Sequence, residues 1–596
     1  LLAGLFLVIA TSTTTWVLRD KTPPPWDPAD HIRYAYDYYR LLCGLDLKGF
    51  AREFFIAPHF YAPLVHLVTA TTFLVFGASR LTAILINFLS LGVLVTSVSW
   101  IVRDILARSA PRSGDGLASG TPPTSYCLIG ALAAMIASCS HFSAWLVHDA
   151  FLDFPLMAVV SGCMALLIRA GDFSSRRSSL QFAAAAGLGV LVKQTFPFFF
   201  VLPALYVAGR VLYSKNRNAI VNLAVTVLVI ATIASIWYGP HLHDVISIYH
   251  ENQRAAIDEN EAPLFSFDSN FFPIHALLSF QLQVPFAVLF LVGLVYSIVR
   301  NRRESMVVVL WLVSGLLLFA MVANKDVRYT VPVVPAAAVL SVCWLRGLLS
   351  SPQPTPRRVG RLVSLLIVSW SLVSLFNAQW PSPGMGLYIN TPRYQWMVLA
   401  RNYFGFDHRP LTDDWSVPEI VQRVASLGPP QVRSSESRSP ATDPSSSNSP
   451  KVGASPSVPA QGDGSTQPTL GVVVNLPHLN PSAIALYSRL LTKNRCAEPL
   501  VRVRWLVIDG SLSQIGDCDY LLVRTGLSSA DWVAPIEREF EKAINDLPSR
   551  FEKVATFPIP LKNAEAILYR VAPESRQSNA AHAGTRIDGF RRGAPL

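Results

Sequence analysis

Asp27 and Asp30, in the stretch TPPPWDPADHIRYAYDYYR (residues 22–40), are the first side chains in the sequence whose type and setting could do chemistry. Pro23, Pro24 and Pro25 hold the preceding backbone extended, which limits where the carboxylates can go. An aspartate at the edge of an apolar cavity loses hydration, and its pKa moves toward the range of a general base. Taken alone, the same stretch also reads as a solvated loop. A second pair lies in HDAFLDFPL (148–156), where Asp149 and Asp153 are four residues apart and would share one face of a helix. A carboxylate beside a membrane-length apolar run is costly to bury, so a functional or paired role is the default expectation, with a helix cap as the alternative.

The cations worth explaining are fewer. Lys193 stands deep in GLGVLVKQTFPFFF (187–200), where it either snorkels to a surface or meets an anion such as a lipid phosphate. YHENQRAAIDENEAP (249–263) contains His250, Asn252 and Arg254, and NKDVRYTVPVVP (324–335) contains Lys325 and Arg328. Each is compatible with a solvated surface. Their convergence from distant segments is what favours a shared site.

The elements that would position these groups are membrane helices. Of the 596 residues 51% are hydrophobic and 15% charged, with a mean hydropathy of +0.36, values that point to a polytopic membrane protein. A span needs about 20 mostly apolar residues. Eleven stretches approach that: 1–18, 80–102, 125–147, 151–169, 179–193, 197–213, 219–238, 283–299, 305–323, 329–346 and 362–379. The first also reads as a signal anchor. Residues 62–76 are apolar and are expected to form a helix along the membrane surface. One alternating set of loops holds sixteen Lys and Arg, among them Arg103, Arg169, Arg210, Arg303 and Arg357, against four acids. By the positive-inside rule those loops are cytoplasmic, so the aspartates and unusual cations gather on the exterior face.

The net charge of +11 is thereby explained by topology, and no nucleic-acid motif accompanies it. Seven scattered cysteines show no CxxC and no Cys/His cluster at metal-ligand spacing, so no metal or other cofactor is indicated. The expected organisation is a transmembrane domain over 1–380 with a first outer loop at 19–79, a juxtamembrane extension at 381–428, and a Ser/Pro-rich disordered linker at 429–468. An extracytoplasmic α/β domain follows at 469–573, then a disordered tail at 574–596. In that domain LGVVVNL, VRWLVID, YLLVRTG and AILYRVA read as strands, and Asn480-Pro481 and WVAPIEREFEKAI as helices. Cys496 and Cys518 could pair there in an oxidising compartment.

Over residues 1–350 the chain resembles glycosyltransferase family 39, the polytopic membrane glycosyltransferases with the GT-C fold that include protein mannosyltransferases and aminoarabinose transferases. The resemblance rests on WDPADH, FYAPLVHLVTATTFLVFG, LDFPL, GLGVLVKQTFP and NKDVRYTVPVVPAAAVL, in that order and spacing. It implies an all-α GT-C-like membrane protein that moves a sugar from a polyprenyl-phosphate donor to a lipid, glycan or protein acceptor outside the cytoplasm, with inversion. It also implies an aspartate base in the first outer loop. The Trp-Asp-x-x-x-His spacing selects Asp27, whereas the spacing to Tyr34-Ala35 also admits Asp30, and Asp27 is favoured. Pro28 replaces an acidic neighbour common in the family, and Ala62-Pro63 stands where the family carries Lys-Pro or Pro-Pro.

In the chemistry this implies, Asp27 or Asp30 removes the acceptor's proton and Asp153 helps to position the reaction. Lys193, Arg254, Lys325 and Arg328 offset charge on the departing phosphate, and His31, Asp149 and His250 are candidates for placing the acceptor. Membrane lipids would surround the apolar helices. The rival reading, a transporter or flippase of lipid-linked glycans, predicts repeats and mid-membrane charges, which the sequence does not display.

Overall fold

The computed structural model describes residues 1–57, 61–108, 124–258, 261–299, 303–382, 386–399, 408–429, 467–492, 497–506, 512–525, 534–561 and 564–572. It separates into two compact units, one built from Leu1–Asp414 with a short piece at Asn494–Ala497, the other from Trp415–Lys493 and Glu498–Leu596. The expected linker falls almost wholly outside the described residues, as do the tail and Cys496. The thiol of Cys518 is buried in the second unit.

The first unit is a multi-pass helical membrane assembly, and each of the eleven apolar stretches folds as helix. Among the described residues, seven helices are long and apolar enough to cross a membrane: Leu2–Arg19, Arg80–Arg108, Asp153–Ala170, Phe196–Ser214, Arg217–Arg254, Val331–Leu349 and Pro354–Gln379. The other stretches are shortened or broken. Residues 125–147 divide at Ser140 into Thr124–Cys139 and His141–Leu146. The helix Gln283–Val299 follows Phe267–Gln281 through a 118° bend, and counting that pair as one span gives eight. Gln283, at the bend, has φ +61°, a left-handed conformation that a branched or bulky residue resists.

The segment read from sequence as the first outer loop is more ordered than that reading suggests. It contains helices Trp26–Cys43, Leu47–Phe55 and Leu64–Phe76, the last matching the expected apolar helix. The prolines do keep the entry extended, with Pro25 at φ −71°, ψ 168° as the N-cap. Immediately beyond it the chain turns helical, because the tyrosines and Ile32 form one apolar face that buries Ala29, Ile32, Ala35, Tyr36 and Tyr39. Asp27 thus sits in the first turn of a helix, where unpaired backbone N–H groups favour an anion.

The second unit contains a five-stranded sheet with the order β4-β3-β5-β7-β6. Its strands are β3 (Thr469–Val472), β4 (Arg502–Trp505), β5 (Tyr520–Arg524), β6 (Phe551–Pro558) and β7 (Glu565–Val571), whereas β1 (Leu387–Asn390) and β2 (Gln395–Leu399) form a hairpin in the first unit. β3 runs parallel to both β4 and β5, and β7 antiparallel to β5 and β6. The alternation of a strand sends Leu470, Val472, Tyr520, Leu522 and Leu568 to one face, under Ile420 and Val424 of helix Val417–Leu427 and Ile484 of helix Pro481–Leu490. Val473, Leu521 and Val571 go to the other, under Phe540 and Ile544 of helix Ala534–Asp546. The compact unit therefore starts at Trp415, inside the stretch assigned from sequence to the juxtamembrane extension. β6 has no counterpart among the strands read from sequence, because Glu552 and Lys553 interrupt its apolar alternation.

Glycine sets one close approach in the membrane unit. A Cβ added to Gly293 would lie 1.9 Å from the carbonyl oxygen of Leu340, so helix Gln283–Val299 packs backbone to backbone on Val334–Cys343. Gly293→Ala is expected to force the helices apart at a cost of roughly 1–3 kcal/mol, seen as a lower melting temperature in detergent. An unchanged melting temperature would contradict this packing.

Candidate functional site

Arg328 precedes the 3-10 turn Val331–Val333 that opens the helix Val334–Cys343. Its Nη1 donates to Asp27 Oδ2 at 2.8 Å, across 301 residues of sequence. Its Nε and Nη2 donate to Asp326 Oδ2 at 2.8 and 2.5 Å, and its backbone N–H donates to Asp326 Oδ1 at 2.8 Å. The guanidinium also lies over the ring of Phe151, 4.7 Å from its centroid. Desolvation opposes its charge, but Asp326 and Asp27 outweigh burial and raise its pKa well above the ordinary value. A planar fork of five donors is suited to such multiple pairing, which a lysine at 328 could not reproduce.

A second pair lies alongside. Lys193, in the connection between helices Arg176–Val190 and Phe196–Ser214, donates from Nζ to Asp153 Oδ1 at 2.7 Å. Asp153 is the first residue of its helix, and both side chains are buried. The Lys193 ammonium lies 5.5 Å from the ring centroid of Tyr329. Asp153 adds to the field that holds Arg328 charged, while Lys193 and Arg328 join burial in driving the His31 imidazole well below its usual pKa. The His31 and His66 rings meet at 3.1 Å, Nδ1 to Nε2, beside Tyr61.

Asp27 and His31 of one helix, Asp153, Lys193 and Arg328 therefore converge from four separate segments. Asp30 is turned elsewhere, toward Arg33 on its own helix at 2.9 Å. Asp149 does not share a helical face with Asp153, because the helix begins only at Asp153. Its carboxylate meets Arg80 Nη2 at 3.3 Å, and Arg80 also donates from Nη1 to the buried Asp20. Burial pushes the Asp149 carboxyl above its usual range, against the pull of Arg80. Lys325 caps a helix end, donating from Nζ to the carbonyls of Phe319 and Ala320 at 3.0 Å each. Burial lowers its pKa to about 8, opposed by Glu261. His250 and Arg254 are exposed on the long helix Arg217–Asp258.

Sequence reasoning passed over Asp326, Tyr329, His66, Arg80 and Gln281. Asp326 and Tyr329 lie within the NKDVRYT stretch already singled out, and Arg80 opens an apolar span at the end that the positive-inside reading assigns to the cation-poor face. Gln281 carried no comparable signal. Its Nε2 donates to the Val327 carbonyl at 2.5 Å and to Thr330 Oγ1 at 2.7 Å, bracketing Arg328 and Tyr329.

No protein-family model matches the sequence, and no curated protein matches it. Among solved structures the chain is similar to ArnT from Cupriavidus metallidurans in the apo state, with a TM-score of 0.48 and 15% identity, covering 96% of this chain and 99% of that one. It is likewise similar to the same protein bound to undecaprenyl phosphate, with a TM-score of 0.48, 14% identity, and 96% and 98% coverage. A third match is the arabinofuranosyltransferase AftD from Mycobacteria, with a TM-score of 0.44 and 12% identity, covering 96% of this chain and 40% of that one.

Replacing Gln281 by Leu would leave the Val327 carbonyl and the Thr330 hydroxyl without this donor, a loss of about 1–3 kcal/mol. Amide hydrogen exchange over 324–330, measured by mass spectrometry in micelles, is expected to quicken in Gln281→Leu. Unchanged exchange would show that Gln281 does not hold the loop.

Proposed function

We propose that the chain is a GT-C-like membrane glycosyltransferase, moving a sugar from a polyprenyl-phosphate donor to an acceptor on the exterior face with inversion, and that Asp27 is its general base. The observation that carries this reading is the Asp27–Arg328 pair beside Lys193–Asp153. Arg328 engages one oxygen of Asp27, and the side chain keeps 40% of its exposure. The Oδ2 atom is thus engaged while Oδ1 is left for an acceptor hydroxyl or amine. As the acceptor oxygen or nitrogen attacks the anomeric carbon, its proton passes to Oδ1. The bond from that carbon to the donor phosphate oxygen breaks, and the electron pair leaves with the phosphate.

The leaving group needs donors in place before charge develops. Asp153 occupies one of the three ammonium donors of Lys193, and the contacts to Asp27 and Asp326 engage three of the five guanidinium donors of Arg328. The rest are available to phosphate oxygens. Asp153 acts by holding Lys193. Asp30, being committed to Arg33, is the weaker candidate for the base. Arg254 and His250, exposed on their helix, are candidates for outer contacts with acceptor or lipid, and Asp149 holds Arg80 near the same boundary.

The broken pair Phe267–Gln281 and Gln283–Val299 favours a second reading, a transporter or flippase of lipid-linked glycans, since discontinuous helices recur in such proteins. Turnover separates the two. With a labelled polyprenyl-phosphate sugar and purified protein, Asp27→Asn is expected to lower kcat about 10²–10⁴-fold with little change in donor KM, and Asp30→Asn to stay within a few-fold of the parent. Full activity in Asp27→Asn with normal insertion would eliminate the proposed base. Glycan movement across vesicles without sugar release would favour the transporter.

The Lys325 ammonium, with a pKa near 8, loses its charge as pH rises through that value. If it contributes positive field to the donor phosphate, donor KM is expected to rise above about pH 8, and Lys325→Met to show a raised KM without that limb. A KM profile in Lys325→Met that still climbs at the same pH would assign the titration elsewhere.

A further inference from the structure

The second unit contains a cleft that the membrane chemistry does not use. It lies between the sheet and helix Ala534–Asp546 and is shallow, with a cavity volume of about 80 Å³. Its place in the topology is informative. From β3 the chain crosses through helix Pro481–Leu490 to β4 on one side, and then returns past β3 to β5 on the other. The crevice between β3 and β5 is therefore a switch point, and at the carboxyl ends of parallel strands such crevices are where open α/β sheets bind ligands. The cleft is lined there by Val473, just past β3, and by Val523, Arg524 and Thr525 at the end of β5.

The lining chemistry defines the ligand class. Val473, Val523 and Ile567, with the ring of Tyr569, give a floor that is apolar and partly aromatic. Above it, helix Ala534–Asp546 contributes Glu537, Glu541 and Asn545. Arg524 is already matched by Glu537 in a two-pronged pair, Nε to Oε1 and Nη2 to Oε2 at 3.0 Å each, with 4% and 14% side-chain exposure. Glu541 has no ion pair among the described residues, and it and Asn545 stand exposed at the cleft. An anionic ligand would meet that carboxylate with no spare cation among the described lining residues, which disfavours phosphates and nucleotides. A sugar ring suits the arrangement: its C–H face can cover Tyr569 and the aliphatic floor while its hydroxyls pair with a carboxylate and an amide.

We infer that this cleft is a binding site for a neutral glycan, separate from the membrane site. Tyr569 and the aliphatic floor hold the ring face, Glu541 and Asn545 read the hydroxyls, and the Arg524–Glu537 pair keeps the wall rigid. The inference rests on the cleft's own lining and stands apart from the role proposed for Asp27.

The full chain in lipid nanodiscs, labelled and applied to an array of neutral hexose and pentose oligosaccharides alongside sialylated and phosphorylated ones, tests it. Binding to neutral glycans is expected, reduced at least tenfold in Glu541→Gln and in Asn545→Ala. Both positions are exposed, so the melting temperature should not move. Asp27→Asn should bind the same glycans with unchanged affinity. The inference is overturned if no neutral glycan binds, if only acidic glycans bind, if both cleft variants bind like the parent, or if binding disappears in Asp27→Asn.

Discussion

A guanidinium carried to the boundary of an apolar assembly must be paired, since an isolated buried charge costs far more than a folded domain can supply. Arg328, with a side chain 15% exposed, meets that condition through Asp326 two residues away and Asp27 three hundred and one residues away. The first pairing fixes the shape of the loop. The second ties that loop to the opening turn of helix Trp26–Cys43, so the position of that helix depends on a residue 301 positions further along the chain. Removing the guanidinium would leave two carboxylates facing one another across the gap. Its contact with Phe151 also brings it against the segment leading into Asp153, and hence toward Lys193.

The aspartates around this face divide into two networks. Asp27, Asp326 and Asp153 surround Arg328 and Lys193, whereas Asp20 and Asp149 surround Arg80. The Arg80 network also closes the end of the first helix. Asp20 accepts from the backbone N–H of Leu411 at 2.9 Å and from Thr22 Oγ1 at 2.8 Å, while the Trp16 ring stacks on His148 with centroids 3.9 Å apart. Each carboxylate of that network is committed within the fold, and its arginine has an aspartate on either side. Exposure sets Asp27 apart from the other carboxylates. The Asp20 side chain is fully buried and that of Asp149 nearly so, but Asp27 is half open. A carboxylate that must exchange a proton with a bound molecule needs that opening, and one that anchors helices does not.

Much of the helical unit was legible because membrane insertion imposes a coarse rule, about 20 apolar residues with charges at the ends, that composition reveals directly. The same rule does not report local breaks. The division at Ser140, the bend before Gln283 and the helicity of residues 26–43 depend on packing against neighbours. The Asp149–Asp153 spacing misled for a related reason: a four-residue interval predicts a shared face only if the helix includes both, and this one begins at Asp153. Asp27, Asp153, Lys193 and Arg328 were legible as rare charges on one face, but their pairing is set by tertiary contacts. Arg80 satisfied the same criterion of an outer-face cation. Gln281, neutral and beside a span, did not.

The bend next to Gln281 gives that amide its reach. Residues 276–281 form a π-helical turn, which winds in an extra residue and re-aims the side chains beyond it. Gln283 then adopts a left-handed conformation with both amide atoms buried and lacking a hydrogen-bond partner among the described residues, a local cost of about 1–3 kcal/mol in backbone strain alone. Such strain persists only where the surroundings impose it. Two residues earlier, the Gln281 amide donates to the Val327 carbonyl and the Thr330 hydroxyl, on either side of Arg328. In a regular α-helix the side chain at 281 would point in another direction, and the loop would lose its tie to this helix. The distortion is thus concentrated next to the segment whose geometry fixes the Arg328 guanidinium, and through it the orientation of Asp27.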